Sequence, residues 1–578
     1  MQVTTTPSAE VNNSARERWV NDLMGRLDMR QKVGQLFVFP FYGTFITPDV
    51  KALIQEHHVG GLRIAQKFAA GMSEHRKPGL SWHEQKSVAP PDALTFDCPP
   101  GLDRVHCTPG EFATALNTLR DYALDRPASV PIHTAFDQEG EGADLLFGFR
   151  FFPFPMGICR TGDPGLAYRV ARGVGLQARA LGANMIHSPV VDVNTHPKNP
   201  EIGPRAYSGK VEEVITYALE SLRGFQETGI TATAKHFPGR GASDTDAHFG
   251  LPVIDLDAET LWREHLAPYR ALIEAGLPAV MAAFTAYPNL GSTEPAATAP
   301  EIITGILRDE LGFDGVITTD NTQMGGLLEK YPIEEAVIRC LVAGCDLVLC
   351  RAYTPVRFRL LETTREAVKT GRISEARLDD AVQRILRMRW DMGLAENGGK
   401  VDAEAAGGFF HHPEVVETAN EAARRTVHIQ RNEAGLIPLP KGKRILLVEQ
   451  IHHFHRFVND SYSHPGLLWK CLLEQGSDIE AIQVQEKITE SDIQAIRARI
   501  HDGIDIIVST AYYNYRAHAS LDPLFQFLRE TGKPVVYVSN TPYSHFGAPA
   551  DASSVIVSYC PSGKENLQAV AELLSARR

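Results

Sequence analysis

The sequence predicts an α/β protein in which an N-terminal (β/α)8 barrel of the TIM type precedes a smaller C-terminal αβα layered-sheet domain. Three observations lead there. The 578 residues exceed what one compact core holds and imply roughly two to four domains. Strand-like apolar runs alternate with helix-like segments eight times between Trp19 and Arg389, the pattern of parallel β/α architecture. Eight units in a row favour a closed barrel over an open doubly wound sheet. Finally, Asp137, Arg205, Lys235, His236 and Asp320 each fall just past the C-terminal end of a predicted strand, which is the active face of such a barrel.

Taken in order, residues 19–32 read as an amphipathic helix through Leu23, Met24, Leu27 and Met29, and Val33 to Pro40 as a strand. Thr47-Pro48 opens the next helix with a cap and a proline at its first position. Val59 to Ile64 is the second strand. From Gln66 to Gly110 neither period is visible, and this segment reads as a long insertion over one face: a lid, a binding loop or a passive excursion. A helix from Thr108-Pro109 to Asp125, a strand Val130–Phe136, a helix from Asp163-Pro164 to Leu181 and a strand Asn184–Val193 follow. Helix 208–227 leads to a strand from Ile230 to Ala234. The remaining barrel units are helix 257–275, strand 279–284, helix 300–310, strand 315–319, helix 334–343, strand 346–350 and helices near 355–370 and 374–390.

The barrel is thus assigned to residues 1–394. Residues 395–440 form a glycine-containing linker (395–412, with Gly398-Gly399 and Gly407-Gly408) and a connecting helix, Pro413 to His428. Residues 441–578 alternate again: strands 444–449, 479–484, 504–509, 534–539 and 553–558 between helices 464–475, 491–502, 520–531 and 564–576. No glycine-rich phosphate fingerprint follows their first strand. The cluster His452-His453-Phe454-His455 has no second ligand group at matching spacing, so no metal is expected there.

Composition narrows the function. A net charge of −12, from 58 basic and 70 acidic residues, argues against a general nucleic-acid or anionic-membrane binder. The eight cysteines form no C-x-x-C pair; Cys98 and Cys107 could be bridged, but reduced thiols are expected. No stretch has the length or polarity of a signal peptide or a membrane span, and the chain reads as cytoplasmic. The expected partner is a small-molecule or oligosaccharide substrate.

The central stretch is Lys235-His236-Phe237-Pro238-Gly239-Arg240-Gly241, running on to Asp246-Ala247-His248. Asp246 and His248 are two residues apart, and on an extended loop both side chains would share a face. A carboxylate-oriented imidazole titrates near neutral pH and suits a proton shuttle. Asp320 ends a β-branched strand, where a buried acid is costly unless paired or functional. A carboxylate there can attack an anomeric carbon, and His248 held by Asp246 can protonate the departing oxygen and then deprotonate water. Asp137, Arg205, Lys235 and His236 supply an acceptor and donors for sugar hydroxyls. Each also has a plainer reading: Asp137 as a helix cap, Arg205 or Lys235 as ion-pair partners, Asp320 as a structural acid. Their agreement on one face is what favours chemistry.

These residues resemble the family 3 glycoside hydrolases, and within them the β-N-acetylglucosaminidase branch. The resemblance is carried by Phe136-Asp137-Gln138-Glu139-Gly140, Asn199-Pro200 with Arg205, Lys235-His236-Phe237-Pro238-Gly239, Asp246-Ala247-His248, and Gly312-Phe313-Asp314-Gly315-Val316 through Asp320 to Met324. It implies a retaining exo-acting β-N-acetylhexosaminidase with Asp320 as nucleophile, His248 and Asp246 as the acid/base dyad, and Asp137, Arg205, Lys235 and His236 on the terminal sugar. It implies no metal and no cofactor. The chain departs from the branch at Glu141, Leu145, Arg240 and Phe284, all around the sugar pocket. Those departures keep two alternatives open: a family member with another glycone or acceptor, such as a β-glucosidase or a phosphorylase, and a silent sugar-binding homologue.

Overall fold

The computed structural model describes residues 9–65, 108–140, 149–352, 354–451, 466–477, 479–485, 488–501, 503–513, 520–560 and 563–575. Most of the expected insertion (66–107), the His452–His455 cluster, Cys98, Cys107, Glu141 and Leu145 lie outside them.

Eight parallel strands form the first sheet: β1 (Phe37–Tyr42), β2 (Gly61–Ala65), β3 (His133–Phe136), β4 (Met185–Ile186), β5 (Thr231–Phe237), β6 (Ala279–Ala282), β7 (Val316–Thr319) and β8 (Val348–Leu349). They run β7-β6-β5-β4-β3-β2-β1-β8. A parallel bridge between Thr318 and Leu347 joins the two ends. There the Thr319 N–H donates to the Leu347 carbonyl at 2.9 Å, and the Leu349 N–H to Thr319 Oγ1 at 3.0 Å. The expected closed (β/α)8 barrel is therefore present. Its strands are buried on both faces, because helices cover the outside and side chains fill the inside, which is why they read as unbroken apolar runs.

Several boundaries move, for local reasons. Val33 to Gln35 belong to a helix, Met29–Gln35, whose cap Asp28 pairs reciprocally with Gln31; the strand starts only at Phe37. The long strand expected over 184–193 is only Met185–Ile186, followed by a single bridge from Val190 to Lys235. Lys235 and His236 lie inside β5 rather than beyond it. The expected helix 257–275 is broken into Ala258–Thr260, a wider turn at Leu261–His265, and Ala267–Glu274, since Pro268 has no N–H to continue the ladder.

The second sheet holds β9 (His428–Asn432), β10 (Ile445–Ile451), β11 (Glu480–Gln485), β12 (Ile506–Ala511), β13 (Val535–Ser539) and β14 (Ser554–Val557) in the order β11-β10-β12-β13-β14-β9. Helices 467–474, 490–499, 522–530 and 564–575 pack on it. β9 pairs antiparallel with β14. The expected helix 413–428 stops at Thr426, and His428 together with 429–432, which show no clear period, forms β9. As an edge strand β9 needs backbone pairing and little apolar surface, so periodicity does not reveal it.

The 395–412 connection is packed against the barrel. Asn117 Nδ2 donates to the Val401 carbonyl at 2.8 Å, the Val401 N–H donates back to Asn117 Oδ1 at 3.1 Å, and Phe410 is buried. The second domain also reaches the barrel's C-terminal face. The Tyr513 hydroxyl donates to the Pro200 carbonyl at 3.2 Å, and Asn194 Nδ2 donates to the Tyr543 hydroxyl at 2.9 Å. Both barrel partners lie on the loop after β4. Among the described residues no helix is long and apolar enough to cross a membrane.

Candidate active site

One pocket at the C-terminal ends of the strands is lined by all seven residues singled out from the sequence: Asp137, Arg205, Lys235, His236, Asp246, His248 and Asp320. Arg63, Glu139, Arg240, Phe249, Asn321 and Arg351 complete much of its wall.

On one side, charge is clamped by charge. Lys235 sits within β5 almost without solvent, so its ammonium needs anions; it finds Asp137 Oδ1 at 3.2 Å and Glu139 Oε1 at 2.5 Å. Burial opposes its charge, but Glu139 and Asp137 outweigh burial and raise its pKa. Arg205, on the tight turn Gly203–Arg205, grips Glu139 through two nitrogens, Nη2 to Oε1 at 2.9 Å and Nε to Oε2. Asp137 is further held by Arg63 and by His187 Nδ1 at 3.0 Å. Burial alone would raise its pKa; Arg63 and Lys235 hold it well below the usual carboxylate range. The plainer ion-pair readings of Arg205 and Lys235 are thus also true, and both still border the cavity. Asp137 serves as an ion-pair hub, not as a cap.

His236 is anchored from behind. Its Nδ1 lies 2.7 Å from Asp192 Oδ2, and Asp192 Oδ1 accepts the Arg240 N–H at 2.7 Å. Burial pushes the Asp192 carboxyl up to about 6, with Arg240 pulling it down. Burial, aided by Arg240, keeps the His236 ring well below its ordinary pKa and so neutral.

Asp246 and His248 are hydrogen-bonded to each other, through a local geometry other than an extended loop. The segment after Asp246 is a turn and not an extended loop: Phe249 N–H donates to the Asp246 carbonyl at 3.0 Å. Asp246 Oδ1 accepts both the His248 N–H at 2.8 Å and its Nδ1 at 2.7 Å. Nδ1 is thus engaged, and among the described residues Nε2 has no hydrogen-bond partner. Glu201, not anticipated from the sequence, brings a second carboxylate, with Oε1 3.3 Å from the same Nδ1. Burial disfavours the imidazolium, but Asp246 and Glu201 together raise its pKa to about 9, well above the neutral value expected for a single carboxylate.

Asp320 stands just after β7. Its Oδ1 accepts the Asn321 N–H at 2.7 Å, and Oδ2 faces Arg240 Nη1 at 3.5 Å. Arg240 also lies 2.7 Å from Glu201 Oε1. One guanidinium therefore stands between the acid just after the seventh strand and the carboxylate behind the imidazole. Glu201, Asp246 and His248 bring three ligand-type atoms within 4.8 Å of one another. The Arg240 cation already balances Glu201, so the cluster has an internal partner for its negative charge.

Glycine fixes the loop that presents this dyad. A Cβ on Gly241 would meet the Val193 carbonyl oxygen at 1.9 Å, a backbone atom that cannot swing aside. Gly241→Ala is therefore expected to push the 240–248 loop off the β4 loop. Activity should fall by about 100-fold or more, since a displacement of roughly 1 Å costs that much. Circular dichroism should keep the wild-type secondary structure, and steady-state rates provide the check.

Glu201 and Asp192 were both within reach of sequence reasoning. Glu201 follows Pro200 in a stretch already singled out and lies one helical turn before Arg205. Asp192 interrupts the apolar run 190–193, where an acid must be paired or functional. Nothing local in the sequence names their partners, so the motifs alone place neither in the site. Phe284, a departure from the branch pattern, is fully buried.

Residues 28–388 match the model of the "Glycosyl hydrolase family 3 N terminal domain". The chain is 31% identical over 338 residues to a "Beta-N-acetylglucosaminidase/beta-glucosidase" of Cellulomonas fimi, covering 56% of this chain and 59% of that one. It is 26% identical over 484 residues to "Beta-hexosaminidase A" of Pseudoalteromonas piscicida, covering 77% of this chain and 79% of that one. In structure it is similar to a glycoside hydrolase family 3 beta-N-acetylglucosaminidase from Paenibacillus sp. str. FPU-7, with a TM-score of 0.78, 27% identity, and 95% and 97% of the two chains covered.

Proposed function

The chain belongs to glycosyl hydrolase family 3, and from that premise we propose that it removes terminal β-linked N-acetylglucosamine by a retaining mechanism with a glycosyl-aspartate intermediate. The single observation that carries this reading is that Asp320 and the Asp246–His248 dyad border one pocket with Arg240 between them. In the first step the Asp320 carboxylate attacks the anomeric carbon. The glycosidic C–O bond breaks, and His248 gives its Nε2 proton to the leaving oxygen. In the second step His248 takes a proton from water, the resulting hydroxide attacks the same carbon, and Asp320 leaves as a carboxylate. Two inversions return the original configuration. Asp246 holds the tautomer and shares the imidazolium charge. Asp137, Arg205, Lys235 and His236 present a rigid set of hydrogen-bonding groups to the terminal sugar, kept in place by the Asp137–Lys235 pair and by Glu139 and Asp192 behind them.

The name of the Cellulomonas relative supports weighing a second glycone, glucose. Hydrolysis of para-nitrophenyl N-acetyl-β-glucosaminide, compared with the β-glucoside and repeated with inorganic phosphate, tests the reading. We expect the higher kcat/KM on the acetamido sugar, with free sugar as product. Release from the glucoside alone would overturn the glycone. A sugar 1-phosphate product would replace hydrolysis by phosphorolysis, and release from neither substrate would sink the enzymatic reading.

A further inference from the structure

We propose that Glu201 is a positioning residue, a second carboxylate behind His248, which Arg240 links to Asp320 so that the charge of the acid/base follows that of the nucleophile. The inference rests on the roles given above to Asp320 and His248.

The geometry is specific. Glu201 and Arg240 are both almost wholly buried. Glu201 Oε2 accepts the Ala247 N–H at 3.3 Å, so it grips the dyad turn by its backbone as well as by the His248 ring. The Tyr513–Pro200 hydrogen bond from the second domain fixes the residue just before it. The groups around the imidazole come from several elements. Asp246 lies on its own turn, Glu201 on the loop after β4, Arg240 on the loop after β5 and Asp320 across the pocket just after β7. Tyr513 faces Asp246 from the second domain, and Glu329 accepts the Leu251 N–H at 2.9 Å. Arg240 touches both a partner of the imidazole and the nucleophile.

Retaining hydrolysis asks opposite things of His248 in its two steps: give a proton, then take one. In the free enzyme Arg240 divides its charge between Asp320 and Glu201, and both carboxylates behind the imidazole favour imidazolium. Once Asp320 becomes an ester its negative charge is gone. Arg240 is then left to Glu201 and Asp192. Its positive field, no longer offset by Asp320, and its stronger hold on Glu201 both weaken the attraction that keeps the proton on His248. The proton donor of the first step becomes the base of the second without any group having to move far.

The test is the pH dependence of kcat/KM for the full chain on para-nitrophenyl N-acetyl-β-glucosaminide. In the wild type the basic limb is expected near pH 9. Asp246→Asn must lower that limb; if it does not, the reading of His248 fails and this inference with it. Glu201→Gln should lower the limb by about one pH unit, and Glu201→Asp should return most of that shift. A packing role alone would reduce activity and leave the limb where it is, and that result overturns the proposal. Should Glu201→Gln fold poorly, Arg240→Gln gives a test of opposite sign. With the cation removed, both carboxylates are left to the imidazolium and the limb must rise; a stationary or falling limb overturns the proposal.

Discussion

Asp320→Ala is expected to lower kcat on an N-acetyl-β-glucosaminide by about 10⁴- to 10⁶-fold, the scale on which loss of a nucleophile is felt. Among the described residues, neither Asp137 nor Glu139 is placed to take over the attack. Asp137 is held by Arg63, His187 and Lys235, and Glu139 by Arg205 and Lys235, so neither carboxylate is available to an anomeric carbon. The fold should tolerate the change. Asp320 is 14% exposed, and its contacts are the Asn321 N–H beside it and Arg240 at 3.5 Å. Arg240 keeps Glu201, so no buried charge is orphaned. Thermal unfolding close to that of the wild type, together with a collapsed rate, is the expected pair of results. A variant that turns over at the wild-type rate would remove Asp320 from the chemistry.

His248→Ala should cost about 10²- to 10⁴-fold, and the cost should depend on the leaving group. Alkyl and sugar aglycones leave as strong bases and need the proton, whereas dinitrophenolate leaves without it. The activated substrate should therefore still form the glycosyl-enzyme and then stall for want of a base. Added azide, which attacks without deprotonation, should restore turnover and yield a β-glycosyl azide. The sign of the pH effect follows from the chemistry. The free enzyme needs the imidazolium, so kcat/KM holds below the pKa of about 9 and falls as the pH rises through it. The variant should lack that limb. Equal loss on both substrates, with no azide product, would take His248 out of proton transfer.

The architecture was readable because parallel strands buried on two faces leave long apolar runs, and the helices between them keep a 3.6-residue period. What escaped were features held by contacts distant in sequence. β4 is two residues long because the chain turns early to carry Val190 to Lys235. β9 is an edge strand whose partner is β14, far along the chain. The site was legible wherever one motif carries its own chemistry: Asp246 and His248 meet because they are neighbours, and Asp320 stands where a strand ends. Glu201 acquires its meaning only when the loops after β4 and β5 are folded together. The His248 pKa escapes the motif for the same reason, since the motif shows one carboxylate and two act on the ring.

The two tyrosines of the second domain have a consequence for how this molecule fails. Tyr513 and Tyr543 hold the loop that carries Glu201 and Asn194, so the surroundings of His248 are held partly from outside the barrel that bears Asp320. The rest of the junction is apolar and charged, with Phe154 of the barrel packed in the second domain's core, Cys560 packed in the barrel's, and Arg150 paired with Glu565. Mild denaturant that loosens the two tyrosine hydrogen bonds is therefore expected to slacken one loop, lowering the rate before circular dichroism records any loss of the barrel.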